Sequence, residues 1–170
     1  MAAIQCLAAE REQRRWGYRH NVWLLVPVAT QAELETRVPA LLGLRDLAPI
    51  LAVKASPREP LRFDHYVCQS RSVEEAGDGF NDWTGLYGNA LNGYRSTSMM
   101  SGIQGPKLDW VVARAPAAGT PPEWLESLRT QCHQAETPFY FEGWGPRTVF
   151  LPTLGGQPHT ALPCPELITT

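Results

Sequence analysis

Histidine and cysteine are the first residue types to test for chemistry, and the chain has four of each. His65 and Cys68 have the H-x-x-C spacing of a metal-ligand pair, and Cys132 is followed directly by His133. A structural zinc site sets such pairs on turns. Here His65 and Cys68 fall on opposite faces of an alternating stretch, and Cys132 belongs to an apolar helical stripe. We read all four as packing residues and expect no metal. Cys132 and His133 also fail as nucleophile and base, because consecutive helix residues do not face each other. Asp64, Asp78 and Asp82 could supply carboxylates, but two of them sit in a polar loop that fixes no geometry. The chain has no glycine-rich dinucleotide loop, no Walker-type loop and no HExxH motif. These residues point to no catalytic group and no cofactor.

Binding residues are easier to find. Of the six tryptophans, Trp23, Trp110 and Trp124 fall on strand or helix patterns and are expected in the core. Trp83 and Trp144 lie outside such patterns. With Tyr87 and Tyr94 they form a set of candidate exposed anchors, the residue types that dominate interface energetics. Arg11 and Arg15, with Arg14, Arg19 and His20, could take a phosphate or an acidic partner, although the same residues also read as the solvated face of a helix over Ala2 to Arg19. The candidate partner-binding residues are therefore Trp83, Tyr87, Tyr94, Trp144, Arg11 and Arg15. A net charge of -2 argues against a general nucleic-acid binder. A protein partner or self-association is favoured, with nucleic acid a weaker alternative.

The elements that must position these residues centre on Leu108 to Gly145. Leu108–Ala113 is a run of strand length. Thr120 and Glu123 have capping-box spacing around Pro121, read as the first helical residue. Trp124, Leu125, Leu128 and Cys132 then repeat at helical spacing, Pro138 stops the helix, and Phe139–Phe141 is an aromatic strand. A strand, a helix and a strand in that order should lie parallel with a right-handed crossover. The first third repeats the pattern. Asn21–Val28 reads as a strand buried on both faces. Thr30 and Glu33 form a second capping box, Leu34, Val38, Leu41 and Leu42 make the stripe, Pro39 bends or ends the helix, and Gly43 closes it. Pro49–Lys54 is the next strand. Two β-α-β units predict a parallel sheet of about four strands.

Between the units, Leu61 to Cys68 alternates as a half-buried strand would. Residues 69–106 read as a long irregular insertion of the kind that carries function. A further run, Thr148–Leu151, ends a single α/β domain over residues 1–151, and a Pro-rich extended tail covers 152–170. The length of 170 residues, 44% hydrophobic and 19% charged, suits one ordinary globular core. The four scattered cysteines, with no C-x-x-C pair, and the lack of any membrane-length apolar run point to a reduced, cytoplasmic protein that touches no membrane.

The segments NVWLLVPVA (Asn21–Ala29), ILAVKA (Ile50–Ala55), LDWVVARAPAAG (Leu108–Gly119), SLRTQC (Ser127–Cys132) and PFYFEGWG (Pro138–Gly145) also carry a resemblance. Their order and spacing resemble the C-terminal half of a phage- and bacterium-associated family of uncharacterised, radical-SAM-like proteins with a three-cysteine cluster. The resemblance implies half of a TIM-like (β/α) barrel in a bacterial host cell. It also implies acidic or Gly-Gly-Glu strand ends on the face where barrel active sites are built. This chain has Ala29, Lys54 and Arg114-Ala115-Pro116 there, and it lacks closely spaced cysteines for an iron–sulfur cluster. The polar face of the strand ends is expected to be lost, as in a pseudoenzyme. Two functions are expected on this basis. One is a non-catalytic, macromolecule-binding scaffold, such as an anti-CRISPR-like inhibitor of a host defence system. The other is a SAM- or nucleotide-dependent enzyme, acting alone or with a partner.

Overall fold

A computed structural model describes residues 23–64, 66–68, 86–96, 101–116, 120–145 and 152–163. Four strands form the main sheet: β1 (Trp23–Val28), β2 (Ile50–Ala55), β7 (Trp110–Ala115) and β8 (Phe139–Trp144), in the order β1-β2-β7-β8. Every pairing is parallel. Helix α1 (Gln31–Leu42) joins β1 to β2, and α2 (Pro122–Gln134) joins β7 to β8. The expected pair of β-α-β units is therefore present, as an open four-stranded sheet that does not close into a barrel.

Both helices cover one face. Leu34, Val38, Leu41 and Leu42 of α1 and Leu125, Leu128 and Cys132 of α2 share a single core with Val26, Leu51, Val53, Val111, Ala113 and Phe141. Those strand positions alternate, so Leu25, Pro27, Ala52, Lys54, Val112, Arg114, Tyr140 and Glu142 belong to the opposite face. β2 is central and buried on both faces except at Lys54. β1 departs from expectation. It alternates between exposed and buried positions, because it is an edge strand with one face uncovered, and Trp23 is 47% exposed rather than in the core.

Local chemistry explains where the helices start. Thr30 caps α1 as expected, its Oγ1 accepting from Glu33 N at 3.3 Å, while Glu33 Oε2 accepts from Ala29 N at 2.7 Å. At α2 the expected box does not form. The N-cap is Pro121, with no side-chain cap hydrogen bond, and Pro122 is the first helical residue. A residue before proline is kept out of the α region, and Pro121 accordingly sits at φ -59, ψ 126. The second proline thus moves the N-cap one residue past Thr120, to Pro121. Pro39 lies inside α1, which runs on to Leu42, and Gly43 closes it in a right-handed conformation.

The middle of the chain is more ordered than its composition implied. β3 (Tyr66–Cys68), β4 (Leu86–Gly88), β5 (Tyr94–Ser96) and β6 (Ser101–Gln104) form a second, antiparallel sheet in chain order. The alternation from Leu61 yields a strand only at Tyr66–Cys68. Upstream, the Gln131 side chain takes over as backbone partner, accepting from Phe63 N at 2.8 Å and donating to Leu61 O at 3.0 Å. The β4–β5 connection is built on Asn89, whose Oδ1 accepts from Leu91 N and Asn92 N. It needs glycine at position 93, where φ is 78 and a Cβ would run into the Gly105 carbonyl oxygen. Ala90 and Leu91 of this connection are fully buried in the main core.

The tail is not simply extended. β9 (Thr153–Leu154) and β10 (Gln157–Pro158) form a hairpin over Gly155 and Gly156, both at positive φ, and Leu154 belongs to the core. Beyond it the chain runs along β8, with Phe141 N donating to His159 O at 2.8 Å and an antiparallel bridge between Tyr140 and Thr160. The expected run Thr148–Leu151, the N-terminal helix and residues 164–170 lie outside the described residues.

Candidate functional site

The C-terminal ends of β2, β7 and β8 gather charged side chains on the face opposite the helices. Lys54, the fifth residue of β2, places its ammonium 2.8 Å from both oxygens of Glu142, with a hydrogen bond to Oε1. Arg114, the fifth residue of β7, has Nη1 3.6 Å from Glu142 Oε2 and donates from Nε to Gly145 O at 2.8 Å. A bulge makes this meeting possible. Ala113 opposes Phe141 but Arg114 opposes Gly143, so Glu142 is the extra residue in β8, and Gly143 takes a φ of 130. The polar face of the strand ends is therefore not lost. Its acidic residue comes from β8, a position that the β1, β2 and β7 ends could not reveal.

The cluster is only partly self-satisfied. Lys54, Arg114 and Glu142 are 36%, 21% and 25% exposed. Glu142 Oε2 is held by the ion pairs with Lys54 and Arg114, while the buried Arg114 Nη2 has no hydrogen-bond partner among the described residues. With two cations and one carboxylate, the cluster carries a formal surplus of one positive charge beside the capped N-terminus of α1, itself an electropositive end. It can clasp three strands together or receive one further anionic group. A second pair, Arg45 with Asp109, lies at the other end of the strands. There Asp109 Oδ2 accepts from Arg45 Nη1 and from Leu51 N, each at 2.7 Å, which is a structural clasp.

The face opposite the helices changes character along the strands. Near their N-terminal ends Trp23 meets Trp110 edge-on at 5.6 Å, and Trp110 meets Tyr140 at 6.1 Å. Trp110 Nε1 holds the tail through Ala161 O at 2.9 Å. The tail thereby covers the β8 edge. The β1 edge, with Trp23 and Leu25 exposed, has no strand partner among the described residues other than β2.

Of the candidate anchors read from the sequence, only Tyr94 and Trp144 have side chains among the described residues, and they stand on different sheets. Trp83, Arg11 and Arg15 lie outside the described residues, and Tyr87 is placed on β4 only by its backbone register. Tyr94, 43% exposed, is on β5, which leads back to the connection packed beside Leu108 and Thr137 at the strand starts. Trp144, 40% exposed, stands at the C-terminal end of β8. Trp144 is also held in place, with Nε1 bonded to Thr153 O at 3.0 Å and its ring edge-on to Phe141 at 5.3 Å. Cys132 is fully buried, and burial pushes its thiol up to about 12, as expected for a packing residue. Neighbouring His133 is exposed. His65 lies outside the described residues, as does the Cys68 side chain. Among the described residues no three of His, Cys, Asp and Glu come together as a metal site, and no helix is long and apolar enough to cross a membrane.

Residues 2–151 match the family described as "Protein of unknown function (DUF5131)", which covers most of the chain. The chain belongs to that family. No curated protein and no solved structure matches it. Membership in DUF5131 spans both β-α-β units and the antiparallel sheet, so the charged cluster lies on the framework that defines the family. The hairpin and tail beyond residue 151 lie outside the matched range.

Proposed function

We propose that this protein acts by binding another protein along the open side of its half-barrel sheet, rather than by catalysis. The observation that carries this reading is the asymmetry of the sheet edges. The tail covers β8, whereas β1 presents Trp23 and Leu25 beside an edge with no strand partner among the described residues. Such an edge invites strand addition or a covering element, and exposed tryptophan is the residue type most often found at interface hot spots. The resemblance to phage-associated proteins supports a narrower version, in which the partner belongs to a bacterial defence system and the protein inhibits it in the manner of an anti-CRISPR.

The test is affinity capture from bacterial lysate, followed by affinity measurement on the captured partner. Trp23→Ala should weaken binding by about 2 kcal/mol, roughly thirtyfold, at unchanged melting temperature. Full affinity in Trp23→Ala and Leu25→Asp, with loss in Trp83→Ala or Tyr87→Ala, would move the interface to the 69–106 segment. Loss only in Arg11→Glu or Arg15→Glu would move it to the N-terminal segment.

A second reading draws on the unpartnered Arg114 Nη2 at the strand ends, where α/β proteins bind ligands. In this reading the protein is an enzyme that uses a nucleotide or SAM, and Arg114 and Lys54 hold the anionic part of the ligand. Calorimetry with SAM and with ATP distinguishes the two: binding that disappears in Arg114→Ala favours the enzyme.

A further inference from the structure

A groove of about 840 Å³ lies at the opposite end of the molecule from the charged cluster. Its walls are the last turns of α2, the start of β8 and the tail at His159 and Ala161. Its volume is within the roughly 300–1,000 Å³ range of small-molecule sites.

The groove holds one half-buried guanidinium, that of Arg129, whose only contact among the described residues is His159 Nε2 at 3.5 Å. That contact does not satisfy it. His159 Nε2 also lies 3.2 Å from Leu154 O, a carbonyl that can only accept, and one ring nitrogen cannot both donate to Leu154 and accept from Arg129 in the same tautomer. Nor is Arg129 needed to cap the helix. The terminal carbonyls of α2 already accept backbone amides, Gln131 O from Ala135, Cys132 O from Thr137 and His133 O from Glu136. No carboxylate lies within ion-pair distance of Arg129 among the described residues. A planar, permanently charged fork of donors thus lines the groove with no acceptor bonded to it among the described residues.

We infer that this groove binds a small organic carboxylate, with Arg129 as its two-point anchor. Arg matches a carboxylate in bidentate geometry. Pro138, the edge of Phe139 and Ala161 supply apolar wall for the body of the ligand. Glu136 on the rim is the groove's carboxylate and disfavours polyanions. Glu136 also holds a left-handed backbone, φ 54, where glycine is the usual residue. Non-glycine residues in that region cluster at functional sites.

The test titrates benzoate, as the probe carboxylate, into the full-length protein and follows backbone amide shifts by NMR. Shifts should map to Thr130, His133, Phe139 and His159. Arg129→Ala should weaken benzoate about tenfold or more, the expected loss of a charge-assisted pair. Arg129→Lys, which keeps the charge but not the fork and is the safer variant for folding, should also weaken it. Lys54→Ala, at the other end of the strands, should leave benzoate binding unchanged. Pyrophosphate should bind more weakly than benzoate. No saturable shifts at these residues, unchanged affinity in the folded Arg129 variants, or pyrophosphate binding tighter than benzoate would each overturn the assignment.

Discussion

Glu142 shows how much one residue's setting depends on its neighbours. Alone in sequence it is a carboxylate in an aromatic strand. In the fold it is the one anion paired with Lys54 and Arg114 among the described residues. Removing it leaves two partly buried cations repelling each other, so Glu142→Ala should lower stability by about 1–2 kcal/mol. Chemical denaturation measures this, and Lys54→Ala in the Glu142→Ala background should recover part of the loss. Cys132 is the opposite case, a reactive residue type made inert by burial. Below pH 9.0 its thiol is protonated in the folded and unfolded chain alike, so pH has no effect through this group. Above that the unfolded chain releases the proton while the folded chain holds it up to about 12. Stability should therefore fall as pH rises from 9.0 toward about 12. The decline should flatten in Cys132→Ala, and native-state alkylation followed by peptide mapping should leave Cys132 unmodified.

The two helices show which local rules survive at the scale of an element. Thr30 follows its sequence signature, and Thr30→Ala should cost about 1 kcal/mol in thermal unfolding. Thr120 has the same signature but lost the cap position to Pro121, because consecutive prolines force the first of them out of the helix. The C-terminus of α2 closes in a Schellman arrangement. Thr137 N reaches Cys132 O at 2.9 Å, Glu136 N reaches His133 O at 3.2 Å, and Glu136 occupies the left-handed position. Glycine is unstrained there, so Glu136→Gly should raise stability by about 1 kcal/mol. A lower melting temperature in that variant would mean that the Glu136 side chain contributes more than its backbone strain costs.

At the scale of the whole molecule, the two sheets are joined by the Asn89–Gly93 turn. Its Leu91 is fully buried in the core of the parallel sheet, and Leu91 O accepts from Thr137 Oγ1 at 3.1 Å. The 69–106 segment is thus anchored through the same hydrophobic core as β1, β2, β7 and β8. Leu91→Ala should cost about 2–5 kcal/mol, and both sheets should unfold in one transition. Two separate calorimetric transitions would show instead that the antiparallel sheet is an independent unit.

Local signals were enough to read the parallel framework. The strand-length runs Asn21–Val28, Pro49–Lys54 and Leu108–Ala113, which lie within two residues of β1, β2 and β7, and the stripes through Leu34–Leu42 and Trp124–Cys132, follow from periodicity that neighbouring residues alone impose. The antiparallel sheet was not legible, because its strands of three or four residues are too short to show a period and its turn depends on Asn89, Gly93 and distant Gly105. Trp23 was misplaced for a related reason. An apolar run marks a strand, but whether both faces are covered depends on its place in the sheet, and β1 is at the edge. The charged cluster also needed the tertiary structure. Lys54, Arg114 and Glu142 stand on three strands up to 88 residues apart, and a single-residue bulge in β8 turns the third toward the others. Sequence sets which segments become strands and helices, through short-range sterics and apolar spacing. Which side chains face one another is decided by sheet order, register and the bulge, which exist only once the strands have paired.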